Sequence, residues 1–263
     1  MIKTIIFDFD GTIADTLAFS FGRSLELLRK EKIDLPEKEI IKKIKSNSYQ
    51  ELMKEFRLSW LKIPFMLRIV KQGQRDLYYQ IDKIKIFPGM KKLFKKLKNK
   101  NYQIGILSSN MQRNINKFIK INRLNFFDIV YCESNILGKD KTIKKMVRKY
   151  NLKKEEIIYV GDEIRDIVAC HKTGVKMIGV SWGLHTFEAL QKNGVDYIIS
   201  KPQEILEIIN KNWIFSFDRR NLGEDGLVFQ RIHIANNRKF IYLIFDIWDR
   251  FFKIPGGDVE IDN

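Results

Sequence analysis

The stretch KTIIFDFDGTIADT, residues 3–16, sets carboxylates at the end of an apolar strand. Ile5, Ile6 and Phe7 read as the last residues of a buried strand, and Asp8, Phe9 and Asp10 follow before the turn signal Gly11-Thr12. Side chains two residues apart on a strand share a side, so two carboxylates placed that way repel one another. Taken alone, the segment also fits a solvated strand end or a turn-forming Asp pair.

Downstream, the pattern changes twice. From residue 16 to about 85 there is no strand alternation: LAFSFGRSLELLRK has apolar residues at helical spacing, and DLPEKEIIKKI carries a proline and acids suited to a helix start. Helical patterning continues over 48–83, with Pro64 and Gly73 as expected breaks, and Phe65, Met66, Tyr78 and Tyr79 are read as the core of this helical stretch. After FPG at 87–89, apolar runs at 102–108, 126–132, 157–162, 175–180 and 196–200 alternate with amphipathic helices near 89–99, 111–121, 140–150, 164–173, 186–193 and 202–210. Short apolar strands alternating with helices predict an α/β fold, a doubly wound parallel sheet covered on both faces. The first strand belongs to that sheet, which makes 16–85 an insertion.

Residues 211–263 differ from the rest. LVFQRIHIA and KFIYLIFDIWD flank NNR and suggest a hairpin, with Phe240, Tyr242, Phe245, Trp248, Phe251 and Phe252 as a dense aromatic group. The segment carries no functional motif, and its aromatics are expected to pack on the core or on a second subunit.

Composition narrows the class of protein. A chain of 263 residues, 44% hydrophobic and 12% aromatic, is that of a folded protein with a full core. The formal charge of +16 is uneven: residues 211–263 carry 8 basic and 8 acidic side chains, leaving 40 basic against 24 acidic over 1–210. Lysine runs such as KKLFKKLKNK have apolar residues at helical spacing and read first as solvated helix faces, second as a field that attracts anions. No aromatic-interleaved basic motif supports nucleic acid, so phosphate esters are the better fit. Cys132 and Cys170 have no metal or redox spacing, and no apolar run reaches a membrane-spanning length, so a cytoplasmic protein is expected. His171, His185 and His233 show no ligand spacing and read as structural.

Three apolar runs each end in a polar residue: Asp8 in the first, Ser108 after Ile104–Leu107, and Asp162 after IIYVG. In an open α/β sheet, ligands bind beyond the carboxyl ends of the strands, where such residues converge. Mutually repelling carboxylates become tolerable with a divalent cation among them, and an all-oxygen set suits Mg2+ with a substrate phosphate. One carboxylate can then attack phosphorus while the second protonates the leaving oxygen and later activates water. Gly11 and Thr12 turn the chain so that backbone N–H groups face the phosphate.

At this point the residues resemble a known family. DFDGT, the serine of ILSSN, the lysine of GKDK and GDEIRD match, in order, the four motifs of the haloacid dehalogenase superfamily, and PGMKKLFKKLKNKNYQIGILSSN and VGDEIRDIVACHKTGV look most like its phosphoglycolate phosphatase-like branch. The match covers about residues 2–210. It implies a Rossmann-like catalytic core from 1–15 and 86–210, a helical cap over 16–85, and a C-terminal extension over 211–263. By resemblance, Asp8 is the nucleophile and a Mg2+ ligand, and Asp10 is the general acid/base, whose backbone carbonyl also meets the metal. Ser108 would bind the transferring phosphoryl group, with Ser109 its rival. Lys139 would neutralise phosphoryl charge, with Lys141 as competitor because the proline that usually follows the motif is missing. Asp162 would ligate Mg2+, and Asp166 would orient its waters or Lys139. Glu163, where relatives often carry a small polar residue, is an added ligand or a first-turn acid, and Gly161 permits the turn.

The expected activity is Mg2+-dependent hydrolysis of a small phosphomonoester, phosphoglycolate-like, through an aspartyl-phosphate. Asp10 argues against dehalogenation, because a halide leaves without a proton whereas an alkoxide needs one. A phosphomutase would share the whole core. A non-catalytic module binding a phosphorylated ligand or nucleic acid would have no use for a nucleophile, and nucleic-acid binding would weaken steeply with salt.

Overall fold

The computed structural model describes residues 1–30, 36–55, 63–133, 138–210, 229–231 and 242–244. Six strands form one parallel sheet: β1 (Thr4–Phe7), β2 (Gln103–Ser108), β3 (Ile129–Cys132), β4 (Ile157–Gly161), β5 (Lys176–Val180) and β6 (Tyr197–Ile199). Their order is β3-β2-β1-β4-β5-β6, so the first strand lies centrally and the strand order switches sides beside it. Phe7 pairs in register with Ile106 on one side and Val160 on the other, which brings the ends of β1, β2 and β4 level.

Burial on both faces explains the continuous apolar runs. Along β1 all four residues are buried. On one face Ile6, Leu107, Ile129, Tyr159 and Met177 pack with Ile143 and Met146 of α7 (Lys139–Lys149) and Ile167 and Cys170 of α8 (Ile164–Thr173). Elsewhere in the core, Phe7 meets Phe94 of α5 (Met90–Asn99) edge to face at 5.3 Å, and Phe9 meets Phe118 of α6 (Gln112–Ile121) at 5.1 Å. Such pairs add roughly 0.5–1.5 kcal/mol beyond area burial. In α5, Met90, Leu93, Phe94 and Leu97 are buried at helical spacing while Lys91, Lys92, Lys95 and Lys96 face solvent, so this lysine run is a helix's outer face. Strand β3 starts later than the apolar run at 126–132: Phe126 and Phe127 pack on Phe94, and Asp128 donates its N–H to the Ile104 carbonyl while its carboxylate accepts the Ile104 N–H, both at 2.8 Å. Two short helices, α9 (Phe187–Lys192) and α10 (Glu204–Asn210), complete the covering layers.

Between β1 and β2 the chain makes α1 (Leu17–Lys30), α2 (Glu37–Ser46), α3 (Tyr49–Glu55) and α4 (Ile63–Gln80). The two crossings into this insertion run side by side, with Ala14 bridged to Ile86 and Asp15 N–H bonded to the Lys85 carbonyl at 2.9 Å. Helices α1 and α4 pack together, and Arg23 holds Asp76 at 2.7 Å. Of the two expected breaks, Pro64 falls at a helix start and Gly73 does not interrupt its helix, and the aromatic-core expectation fails in part. Gly73 does not break α4, because one helical glycine costs only about 1 kcal/mol against alanine and burial of Ile69 and Leu77 on either side outweighs it. Pro64 sits in the first turn of α4, where no intrahelical N–H is needed. Nor is Tyr79 core, since it is 75% exposed, while Tyr78 lies against Arg113 and Lys117 of α6 rather than inside the insertion.

Residues 1–211 form one compact unit and 212–263 a second. In the second, β7 (Phe229–Arg231) and β8 (Tyr242–Ile244) pair antiparallel, with Gln230 opposite Leu243. His233 and the aromatic group at 240–252, apart from Tyr242, lie outside the described residues.

Candidate active site

Because β1, β2 and β4 end level, the residues just beyond them meet. Asp8 continues β1 by donating its N–H to the Val160 carbonyl at 2.8 Å. One of its carboxylate oxygens accepts the Phe9 N–H at 2.7 Å and the other accepts Lys139 Nζ at 2.6 Å. Phe9 anchors this turn in the core while Asp8, itself buried, stays at the strand end. Lys139 is the first residue of α7, only 6% exposed, and its Nζ also contacts Asp166. Burial would discharge such a lysine, but Asp166 and Asp8 outweigh that and hold the ammonium charged. Lys141, two residues on, is exposed.

Asp162 follows β4. Its carboxylate accepts Thr12 Oγ1 at 2.8 Å and the Leu184 N–H at 2.7 Å. Gly11 has φ +70, and a Cβ there would lie 2.1 Å from Asp162 Oδ2, so only glycine makes this turn against the carboxylate. Gly183 approaches from the other side, where a Cβ would lie 2.2 Å from that of Asp162. Asp166 stands one turn into α8 and accepts the Glu163 N–H at 3.3 Å.

Oxygens of Asp8, Asp162 and Asp166 all lie within 4.8 Å of one another. At such a separation each like-charge pair opposes ionisation by on the order of 3 kcal/mol at an effective dielectric of about 20. Burial raises the Asp162 pKa well above the ordinary carboxylate value, with Glu163, Asp8 and Asp166 adding to it. Asp166 is raised for the same first reason, against the pull of Lys139. This donor set, all oxygen and short of positive charge, fits a divalent cation. Asp166, expected to orient the metal's waters or Lys139, pairs with Lys139 and also lies among the convergent three, a group that does not include Asp10 or Glu163.

The Asp10 carboxylate accepts Thr16 Oγ1 at 2.8 Å and the Asn110 amide at 3.0 Å. Its pKa is pushed up to about 6, first by burial and then by Asp8, against those two hydrogen bonds. Glu163 binds Arg165 with contacts of 2.5 and 2.7 Å; burial opposes its charge, and Arg165 and Lys139 hold its pKa below the ordinary value. Ser108 is buried and its Oγ accepts the Asn110 N–H at 3.0 Å, while Ser109 is half-buried with its hydroxyl 3.4 Å from Arg165.

The insertion touches this site from two sides. Gln74 of α4 donates to the Ser109 carbonyl at 3.1 Å. Thr186 donates its N–H to the Lys45 carbonyl at 3.0 Å, and His185 Nε2 bonds the Asn47 carbonyl at 3.2 Å. His171 Nε2 bonds the Gly194 carbonyl at 3.0 Å, and Cys132 and Cys170 are free thiols. Sequence reasoning missed Asn110, Thr16, Gly183 and Leu184. The WGL turn after β5 was a legible glycine signal, but nothing in it names Asp162 as its partner.

Among the described residues no helix is long and apolar enough to cross a membrane. Comparison with known proteins agrees with the fold. A phosphoglycolate phosphatase of Synechococcus elongatus is 26% identical over 212 residues, spanning 80% of this chain and 98% of its own, and the pyrophosphatase PpaX of Bacillus mycoides is 23% identical over 214 residues, spanning 80% and 98%. Among solved structures, a "predicted phosphatase" from Clostridium acetobutylicum superposes with a TM-score of 0.67 at 19% identity over 80% of this chain and 99% of that one. A haloacid dehalogenase-like hydrolase from Streptococcus pneumoniae gives 0.63 at 22% identity over 79% and 98%. The family model described as haloacid dehalogenase-like hydrolase matches residues 5–180, and the chain belongs to that family.

Proposed function

We propose that the protein is a Mg2+-dependent phosphatase that hydrolyses a small phosphomonoester through an aspartyl-phosphate on Asp8. The observation that carries this reading is the Asp8 carboxylate itself: oriented by the Phe9 N–H, neutralised by Lys139, set among Asp162 and Asp166, and followed two residues later by a second carboxyl in a different environment. A carboxylate paired with a buried ammonium suits a nucleophile, and a second carboxyl whose pKa burial pushes up to about 6 suits an acid/base.

In the first step an Asp8 oxygen attacks phosphorus, the ester P–O bond breaks, and the leaving alkoxide takes a proton from Asp10. In the second, water gives a proton to Asp10 as its oxygen attacks the phosphorus of the aspartyl-phosphate, which releases phosphate and restores Asp8. Lys139 offsets charge on the phosphoryl oxygens, and Ser108 and the backbone N–H groups at Gly11 and Thr12 bind them. Asp8, Asp162, the Asp10 carbonyl and Asp166, directly or through water, would hold Mg2+, with Glu163 supporting α8 through Arg165. The bound cation supplies charge neutralisation among the carboxylates and polarises the phosphoryl group. The helical insertion acts as a cap that excludes water and selects the ester.

The test is phosphate release from a panel comprising phosphoglycolate, sugar phosphates, nucleotides and pyrophosphate, with and without Mg2+, for the wild type and Asp8→Asn. Mg2+-dependent release that Asp8→Asn abolishes is expected. Release that survives the substitution would remove Asp8 as nucleophile, and a folded wild type releasing nothing would redirect the search to mutase or binding roles.

A further inference from the structure

Asn110 makes more contacts than a turn residue requires. Its Nδ2 lies 3.0 Å from both carboxylate oxygens of Asp10, and its Oδ1 accepts the Met111 N–H at 2.7 Å and Asn114 Nδ2 at 2.8 Å. Since a backbone N–H can only donate, the carbonyl end of this amide must face Met111 and the amino end must face Asp10. The Asn114 amino group is shared in turn: besides Asn110, it donates to the backbone carbonyl of Gln74 in α4, at 2.7 Å. Asn110 and Asn114 are 2% and 0% exposed, so water has little access to the two amides themselves. Beside them the Gln74 side chain donates to the Ser109 carbonyl, which gives α4 a second attachment, to the loop that precedes α6.

We propose that Asn110 is a positioning residue for the Asp10 carboxyl, and that Asn114 makes this positioning depend on the docking of α4 against α6. The inference rests on the phosphatase reading above, in which Asp10 protonates the leaving oxygen. A buried amide with its acceptor end saturated has one orientation available, so it holds the carboxyl on one line. Displacing α4 removes an acceptor from Asn114 and loosens that line. Seating of the insertion and readiness of the acid are thereby one event.

An acid matters in proportion to the leaving group's need for a proton. An alkyl phosphate such as glycerol phosphate needs one, whereas p-nitrophenolate leaves without it. Asn110→Ala is therefore expected to lower kcat/KM for the alkyl ester by about 10- to 100-fold, and to lower it at least about tenfold less for p-nitrophenyl phosphate. Asn110→Ser, which keeps a small polar group, covers a failure of the alanine variant to fold and should show the same selectivity. Asn114→Ala leaves the Asn110 amide in place and is expected to show the selectivity at smaller size; equal losses on both esters there would overturn the link to α4. Equal losses on both esters in the Asn110 variants would make the residue merely structural and overturn the inference while leaving the phosphatase reading intact. A wild type that turns over neither these two esters nor any compound of the panel above would overturn both.

Discussion

The two ends of the central sheet handle charge in opposite ways. At the end where β1 and β4 begin, Lys3 reaches Glu156 at 2.8 Å with the lysine side chain 65% exposed, and Thr4 donates to Gln103 at 2.9 Å. Water screens the ion pair, Gln103 satisfies the buried Thr4 hydroxyl, and each group has a partner of its own. At the other end Asp8, Asp162 and Asp166 are buried together, and Lys139 divides itself between two of them. Exposed pairs contribute little to stability, whereas buried charges are costly unless compensated. The same strands thus carry a forgiving end and an end that holds unfavourable charge, and only the second is placed to use it.

Substitutions that remove compensation from the buried end should break this contrast most visibly. Lys139→Met leaves the carboxylates without their ammonium and is expected to cost about 3–5 kcal/mol in urea unfolding without divalent cation, with Mg2+ restoring part of it. An unchanged midpoint would mean that the carboxylates are protonated or solvated instead.

Acidity offers a second probe. The folded protein raises Asp10 from 3.8 to about 6 and raises Asp162 and Asp166 as well, so between about pH 4 and these values it binds more protons than the unfolded chain. Stability of the cation-free protein should therefore fall as pH rises through that window, by on the order of 3 kcal/mol for Asp10 alone. Mg2+ should raise Tm more at pH 8 than at pH 5, by differential scanning fluorimetry; an equal rise at both would separate the cation from these carboxylates.

Asp162→Asn sharpens the point with a smaller effect. It is expected to stabilise the cation-free protein at pH 8 by about 1–2 kcal/mol, by removing one buried like charge, and to abolish most of the Mg2+-induced rise in Tm. A protein destabilised by this isosteric change would show that the hydrogen bonds from Thr12 and Leu184 matter more than the repulsion. At the forgiving end, Lys3→Ala should leave the urea midpoint within measurement error, and a clear loss there would erase the comparison.

The core was legible because its strands are buried on both faces and its helices on one, and each condition writes a different period into the sequence. The insertion was less so: Gly73 and Tyr79 misled because a single glycine or aromatic is overruled by what packs around it. Within the site, the apolar runs ending in Asp8, Ser108 and Asp162 were visible as strand ends, since chemistry-bearing residues break an otherwise apolar pattern. Asn110 and Gly183 were not, because an asparagine or glycine in a loop looks alike whether it meets solvent or a carboxylate.

By itself, then, the sequence determined the alternation of strands and helices, the motifs at the strand ends and the place of the insertion, all of which depend on residues close in the chain. Only the tertiary structure decided that Lys139, not the exposed Lys141, reaches Asp8, that Asp166 joins the carboxylate cluster, and that Asn110 faces Asp10. Those are contacts across 131, 158 and 100 residues of chain. Local pattern cannot encode them, because they depend on which strand ends the sheet order brings side by side.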